Sequence, residues 1–234
     1  MEIGSLDERS YHHGNLRGAL LAAASEQIES IGFEALSLRD LAASLEVSRA
    51  APYRHFADRR ALLAAIAADG FKHLERAANA AMAREATPSS RLAAGARAYL
   101  AFAARRPQLF RLMFVSDLLT GDEPRDPALI QVANSFHLRF EALVAENCAT
   151  RNDKTVKAAA LTFWSILHGF ALLRMGDMVM PFMRGPLTDG ELREAVLKAA
   201  SALPGSIKPV NADGRERAAR PVARNGKVVR SRNS

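Results

Sequence analysis

Apolar residues return at three- and four-residue intervals along most of the chain, with no strand pattern and no internal repeat, so the chain predicts as all-α. Leu16, Leu20, Ala24, Ile28 and Ile31 share one face of a first helix that begins near Gly14 or Asn15. It ends at Gly32, a residue suited to the left-handed C-terminal position. Ser37 is placed to cap a second helix, with Asp40 three residues on as a weak capping box, and Leu38, Leu41, Ala42 and Leu45 form its apolar face. Val47 plugs a turn, and Ser48 offers its hydroxyl to the N–H groups opening a short third helix from about Arg49 to Phe56. Asp58 then caps a long helix that turns Leu62, Leu63, Ile66 and Phe71 inward and runs to about Arg84, where Thr87-Pro88-Ser89 breaks it.

Beyond Ser90 the helical stripes continue through Leu92, Tyr99, Leu100 and Phe102 to Arg106, and Pro107 starts a short helix over Gln108 to Val115. Gly121 to Pro127 reads as a loop, and Ala128 to Asn147 as a helix with Leu129, Val132, Phe136, Phe140 and Leu143 on one face. Lys154 to Met178 is the most apolar helix. Between Leu161 and Leu173 it is apolar nearly all round, which marks a central core helix or one buried in a subunit contact. Pro181, Gly185 and Pro186 end it, and Asp189 caps a last helix through Leu192, Val196 and Leu197 to Leu203, closed by Pro204-Gly205.

Length and composition, 234 residues with 49% hydrophobic and 24% charged, allow one small and one larger domain and exclude disorder for most of the chain. The net charge of +7 suggests nucleic acid until its distribution is read: residues 204–234 hold eight basic residues against two acidic ones, leaving only +1 for the rest. DNA binding therefore has to be argued from local placement. The tail lacks apolar residues for a core and is expected to be disordered after about Gly205, either a solvated extension or a non-specific DNA tether. A single cysteine, Cys148, cannot close an intrachain disulfide, and no Cys/His spacing suits zinc; His12 and His13, adjacent and without partners, read as part of an exposed arm rather than a metal pair. The acidic opening, residues 1–10, lacks an apolar signal region, and the apolar run from Leu161 to Leu173 is too short and interrupted to span a bilayer, so a soluble cytoplasmic protein with no membrane partner is expected.

The stretch Ser37 to Phe56 has the order of signals of a helix-turn-helix. In its second helix Ala51 and Phe56 can pack inward, while Arg49, Ala50, Tyr53, Arg54 and His55 stay outside: small residues beside donors, which suits a major groove. Tyr11-His12-His13-Gly14-Asn15-Leu16-Arg17, Ile31-Gly32-Phe33, Ser37-Leu38-Arg39-Asp40-Leu41-Ala42 and Tyr53-Arg54-His55-Phe56, followed by Arg59, Leu62 and Leu63, make residues 11–72 resemble the DNA-binding domain of TetR/AcrR-type bacterial transcriptional regulators. The resemblance implies a three-helix, homeodomain-like reading head. Arg49 and Arg39 are expected on bases, and Ser37, Tyr53, His55 and Arg59 on phosphates, with Ser48, Ala50 and Arg54 completing the contact surface. Two residues depart from the family pattern. Glu46 stands where members usually carry Gly, which predicts a non-Gly residue at positive φ for about 1 kcal/mol. Pro52 removes one helical hydrogen bond and crowds the Ser48 carbonyl, which predicts a tight or 3₁₀ turn.

Residues 73–203 are expected to form a helical ligand-binding and dimerisation domain. Trp164, His168 and Gly169, supported by Pro107-Gln108-Leu109-Phe110-Arg111-Leu112-Met113-Phe114, resemble the C-terminal domain type named for a Trp, His, Gly motif. An apolar cavity is expected among Phe102, Phe110, Met113, Phe114, Phe136, Trp164 and Met175, with His168 either a satisfied histidine at a helix contact or a ligand contact, and Ala103 as a small residue beside it. Trp164, Gly169, Leu172, Leu192 and Val196 are expected at a homodimer interface on the last two core helices. The sum is a ligand-responsive regulator, most simply a repressor, that binds a pseudo-palindromic double-stranded DNA operator and is released by a small apolar or amphipathic effector. No cofactor or metal is called for. A nucleophile with its base, or paired inward carboxylates, is not found; His137 and Cys148, eleven apart, are a coincidental pair, so no enzyme is expected. The alternative is a helical ligand-binding or adaptor protein of the same fold without sequence-specific DNA binding.

Overall fold

The computed structural model describes residues 15–122 and 125–207; the expected N-terminal arm, with His12 and His13, and the tail from residue 208 onward lie outside them. Nine α-helices and one 3₁₀ turn are found among the described residues: α1 Leu16–Ile31, α2 Leu38–Ser44, the 3₁₀ turn Pro52–Arg54, α3 Arg59–Met82, α4 Pro88–Arg105, α5 Pro107–Phe114, α6 Pro127–Ala145, α7 Asp153–Met175, α8 Pro181–Arg184 and α9 Asp189–Ser206.

Most starts follow from side chains that accept the free N–H groups of the first turn. Asn15, Ser37, Asp58, Asp126 and Asn152 cap α1, α2, α3, α6 and α7, and Thr87 and Thr188 build full capping boxes with Ser90 and Glu191 at α4 and α9. The exits correct the sequence reading in places. Gly32 has positive φ but ψ 156°, so it leaves α1 in an extended conformation open to glycine rather than in the left-handed helical one. Ile31, expected on the buried face, is 54% exposed at the last turn. Pro181, expected only as a stop, opens one more helical turn, α8, and α9 runs through Pro204 to Ser206, because a missing N–H in the last turn loses a single bond.

At about 1.5 Å per residue α3 is about 36 Å long, and it packs against α1, α4, α5 and α6. It carries one side of the N-terminal helical unit and one wall of the larger bundle in a single rod. Gly70 lets α5 close on it: a Cβ there would lie 2.6 Å from Met113 Sδ and 3.1 Å from Leu109 Cδ1. The core runs without a break from Leu20, Ile28 and Leu41 through Leu62, Phe71 and Leu74 to Phe110, Phe163 and Leu197.

α7 departs from the expected reading in its length. Its 23 residues are long and apolar enough to cross a membrane, yet the helix sits in the bundle against α4, α6 and α9. It is also two-faced. Thr155, Val156, Ala159, Ala160, Phe163, Leu167 and Ala171 are buried, whereas Leu161 is 62% exposed and Leu173 38%.

Candidate nucleic-acid interface and ligand cavity

The turn after α2 is a Schellman closure: the Val47 N–H donates to the Ala42 carbonyl (3.0 Å) and the Glu46 N–H to that of Ala43 (3.1 Å), with Glu46 at φ 54°. The closure thus places Glu46 in the conformation that glycine occupies at least cost. After it, the Ala51 N–H bonds the Ser48 carbonyl at 2.9 Å, and the Arg54 N–H bonds that of Ala51. Because Pro52 has no N–H to reach back to Ser48, the expected helix from Arg49 to Phe56 is a turn at Arg49–Ala51 followed by 3₁₀ residues Pro52–Arg54. Ala51, rather than Ser48, occupies its cap, with no side-chain bond.

Burial then divides this segment. Ala51, Pro52 and Phe56 are buried, and Ser48, Arg49, Ala50, Tyr53, Arg54 and His55 are exposed, as is Arg39 on α2. Arg17 of α1 lies 5.2 Å over the Phe56 ring and covers it from outside. Ser37 is half-buried and its hydroxyl accepts the Asp40 N–H at 3.4 Å. Arg59, expected on a phosphate, is half-buried and turned toward the protein. Its guanidinium donates to the backbone carbonyls of Leu36 (2.8 Å), Glu34 (2.9 Å) and Phe33, which ties the loop between α1 and α2 to the start of α3.

In the larger bundle a cavity of about 90 Å³ opens between α3, α4, α6 and α7. Leu74, Met82, Leu92, Gly95, Ala96, Leu143 and Leu167 line it with the rings of Tyr99, Phe136, Phe140, Phe163 and Trp164, and Glu75, Asn79 and Arg139 are its polar residues. Of the eight expected ligand contacts only Phe136 and Trp164 line this cavity. Phe102, Phe110 and Met113 are core residues, Phe114 and His168 lie behind the wall, and Met175 with Ala103 belongs to a separate groove between α4, α7 and α9. Apolar periodicity marks which face turns inward but not where facing side chains fail to meet, so the α3 wall and Tyr99 were missed.

Behind Trp164 a polar pair is set among rings. The Tyr99 hydroxyl and His168 Nδ1 lie 2.8 Å apart. Phe110 stacks on the imidazole (5.4 Å, 26°), with Phe114 and Trp164 at 5.5 and 4.7 Å. Burial pushes the Tyr99 hydroxyl pKa well up, against a smaller downward pull from the Trp164 indole N–H, and pushes the His168 pKa down. A neutral imidazole accepting at Nδ1 from the Tyr99 O–H fits both directions.

Phe110 and Phe114 belong to α5, and the other side of α5 is fastened to α1 and the loop after it. Its first turn has no cap of its own; the Glu29 carboxylate of α1 accepts the N–H groups of Leu109 (3.0 Å) and Gln108 (3.2 Å) and pairs with Arg106 Nε at 3.1 Å. Further along, Arg111 pairs with Glu34 at 3.1 Å and lies over the Phe33 ring.

This arrangement has known relatives. Residues 20–66 match the model described as bacterial regulatory proteins, tetR family, and residues 92–195 the tetracyclin repressor-like C-terminal domain. The chain belongs to the TetR family of bacterial regulatory proteins. The HTH-type transcriptional activator FasR of Mycolicibacterium smegmatis is 31% identical over 117 residues, 50% of this chain, and the match spans about half, 52%, of that relative. A Rhodococcus sp. RHA1 protein of unknown function is 33% identical with a TM-score of 0.68, over 83% of this chain and 96% of that one. SCO4454, a TetR-family transcriptional regulator from Streptomyces coelicolor, has a TM-score of 0.60 over 83% of this chain and 96% of its own, at 20% identity, a likeness of fold.

The first TetR-family match covers most of α1, α2, the 3₁₀ turn and the start of α3; the second runs from Leu92 in α4 to Ala195 in α9. The α3 wall of the cavity, Leu74 to Met82, falls between them. Trp164, Gly169, Leu172, Leu192 and Val196 are all half-buried, and a Cβ on Gly169 would meet nothing within 4 Å.

Proposed function

We propose that this TetR-family chain is a ligand-responsive transcriptional regulator that acts in the cytoplasm as a homodimer, binds a pseudo-palindromic operator through its reading head, and lets go when a small molecule fills the cavity. Residues 11–72 act as the DNA-binding unit and 73–206, to the end of α9, as the ligand and dimer unit, followed by a basic tail. The observation that carries the reading is the sorting of the 48–56 segment: Ala51, Pro52 and Phe56 anchor it while Arg49, Ala50, Tyr53, Arg54 and His55 face out. Arg49, at the start of that segment, and Arg39 contact base edges; Ser37, Ser48, Tyr53, Arg54 and His55 contact the backbone. Arg59 acts as a positioning residue, since its donors are turned onto carbonyls. A second copy covers the exposed face of α7, where Leu161 and Leu173 flank Gly169, with Leu172 and the Leu192 and Val196 side of α9 alongside. One relative is named an activator; the sign of regulation depends on where an operator lies, and for an operator overlapping its promoter release means derepression.

A gel shift with the DNA upstream of the protein's own coding sequence tests this. Retardation that resists random competitor DNA is expected, and Arg49→Ala should narrow the gap between operator and mismatched operators by about 1–3 kcal/mol. No retained complex with any upstream fragment would favour a ligand-binding or adaptor protein of the same fold.

A further inference from the structure

The two charged side chains on the cavity wall, Glu75 and Arg139, are paired with each other, and they differ in depth: the Glu75 side chain is 21% exposed and that of Arg139 67%. The wall behind them is aromatic, with Tyr99, Phe136, Phe140 and Trp164, and ring faces carry the negative side of a quadrupole that attracts cations. Resting on the assignment of this cavity as the effector site, we propose that the effector is an amphipathic monocation, an amine with a slender apolar body, whose ammonium head replaces the Arg139 guanidinium on Glu75. Arg139 can leave for water at small cost, because an ion pair this exposed contributes little. The deeper Glu75 carboxylate then needs another cation, and the aromatic wall accepts one. An anionic head on Arg139 would instead set its charge against both Glu75 and the ring faces. Asn79 follows Glu75 by one helical turn on α3 and lines the same cavity, so its amide oxygen can take a second ammonium N–H.

Trp164 is the only tryptophan of the chain and lines the cavity, so its fluorescence reports occupancy directly. The full chain is titrated at about pH 7, where an alkylamine is protonated, with hexylammonium, hexanoate and hexan-1-ol. Hexylammonium should shift Trp164 emission at concentrations at least about tenfold below hexanoate. Glu75→Gln should raise the hexylammonium Kd about tenfold or more and leave that of hexan-1-ol unchanged. Arg139→Ala should lower the hexylammonium Kd by up to about fivefold, since the competing cation is gone. Tighter binding of hexanoate, a weaker hexylammonium complex in Arg139→Ala, or no Trp164 response to hexylammonium overturns the proposal. If Glu75→Gln does not fold, the ranking of the three probes and the Arg139→Ala result still decide. Operator retardation followed in the same titrations separates the two readings. Release by hexanoate but not by hexylammonium overturns the cation and leaves a ligand-released regulator. Hexylammonium bound at Trp164 without any change in retardation supports the charge preference and removes the cavity from the switch.

Discussion

Glu46 shows how a single residue was legible in sequence. A turn known to favour glycine, filled by Glu, implied positive φ, and the Schellman closure puts it at φ 54°. Glu46→Gly should therefore raise stability by about 1 kcal/mol, read as a higher denaturant midpoint at unchanged slope; a lower midpoint would show that Glu46 makes up the strain elsewhere. Arg59 was not legible, because a guanidinium at a helix start looks the same in sequence whether it faces phosphates or carbonyls. Its three carbonyl partners support the second. Arg59→Ala should lower stability by about 1.5–3 kcal/mol, the range for hydrogen bonds to a charged group, and leave the salt dependence of DNA binding unchanged. A fall in salt slope with full stability would return Arg59 to the phosphates. His168 carries a pH signature. Burial lowers its folded-state pKa, so the unfolded chain takes up the proton first as pH drops. The contribution is fully present above the unfolded value of about 6.5 and is lost as pH falls below it toward the folded pKa. Between about pH 7 and 5 the wild type should lose more melting temperature than His168→Gln, and parallel curves would mean that the imidazole does not titrate in this window.

Elements were more legible than residues, for a physical reason: caps and apolar stripes are local, and Ser37, Asp58 and Asp189 stand at or beside the starts of α2, α3 and α9. What the stripes left out is relational. α7 read as apolar all round, and only its packing shows which side meets α4, α6 and α9 and which carries Leu161 and Leu173 outward. The cavity is the same kind of fact, a gap between four helices that no single stripe contains. α5 was recognised as a helix from Pro107, but its cap comes from another element. Glu29 lies 79 residues before Gln108 in sequence, a separation no local motif spans.

In the whole molecule two routes join the cavity to the reading head. α3 is one, a continuous rod from the Asp58 cap to Met82 on the cavity wall. The other runs from Trp164 and Tyr99 through His168 to Phe110 and Phe114 on α5, and from α5 through Glu29 to α1. In the proposed dimer two heads serve successive major grooves only with centres about 34 Å apart, so either route need move a head only slightly. A ten- to hundredfold loss of operator affinity on effector binding corresponds to about 1.4–2.8 kcal/mol of coupling between the sites. Glu29→Ala separates the routes. It removes the acceptor for the Gln108 and Leu109 N–H groups and the ion-pair partner of Arg106, which keeps its bonds to Ser25, yet touches neither the cavity nor the exposed 48–55 segment. Loss of a cap should cost about 0.5–2 kcal/mol of stability. Effector affinity, read by Trp164 fluorescence, and operator affinity without effector should stay near wild type, while the effector-driven loss of operator affinity should shrink to about threefold or less, under 1 kcal/mol of coupling. Glu29→Gln, which keeps an acceptor for one of the N–H groups, should restore part of the response. A folded Glu29→Ala dimer that still releases its operator as the wild type does would show that Glu29 carries none of the coupling.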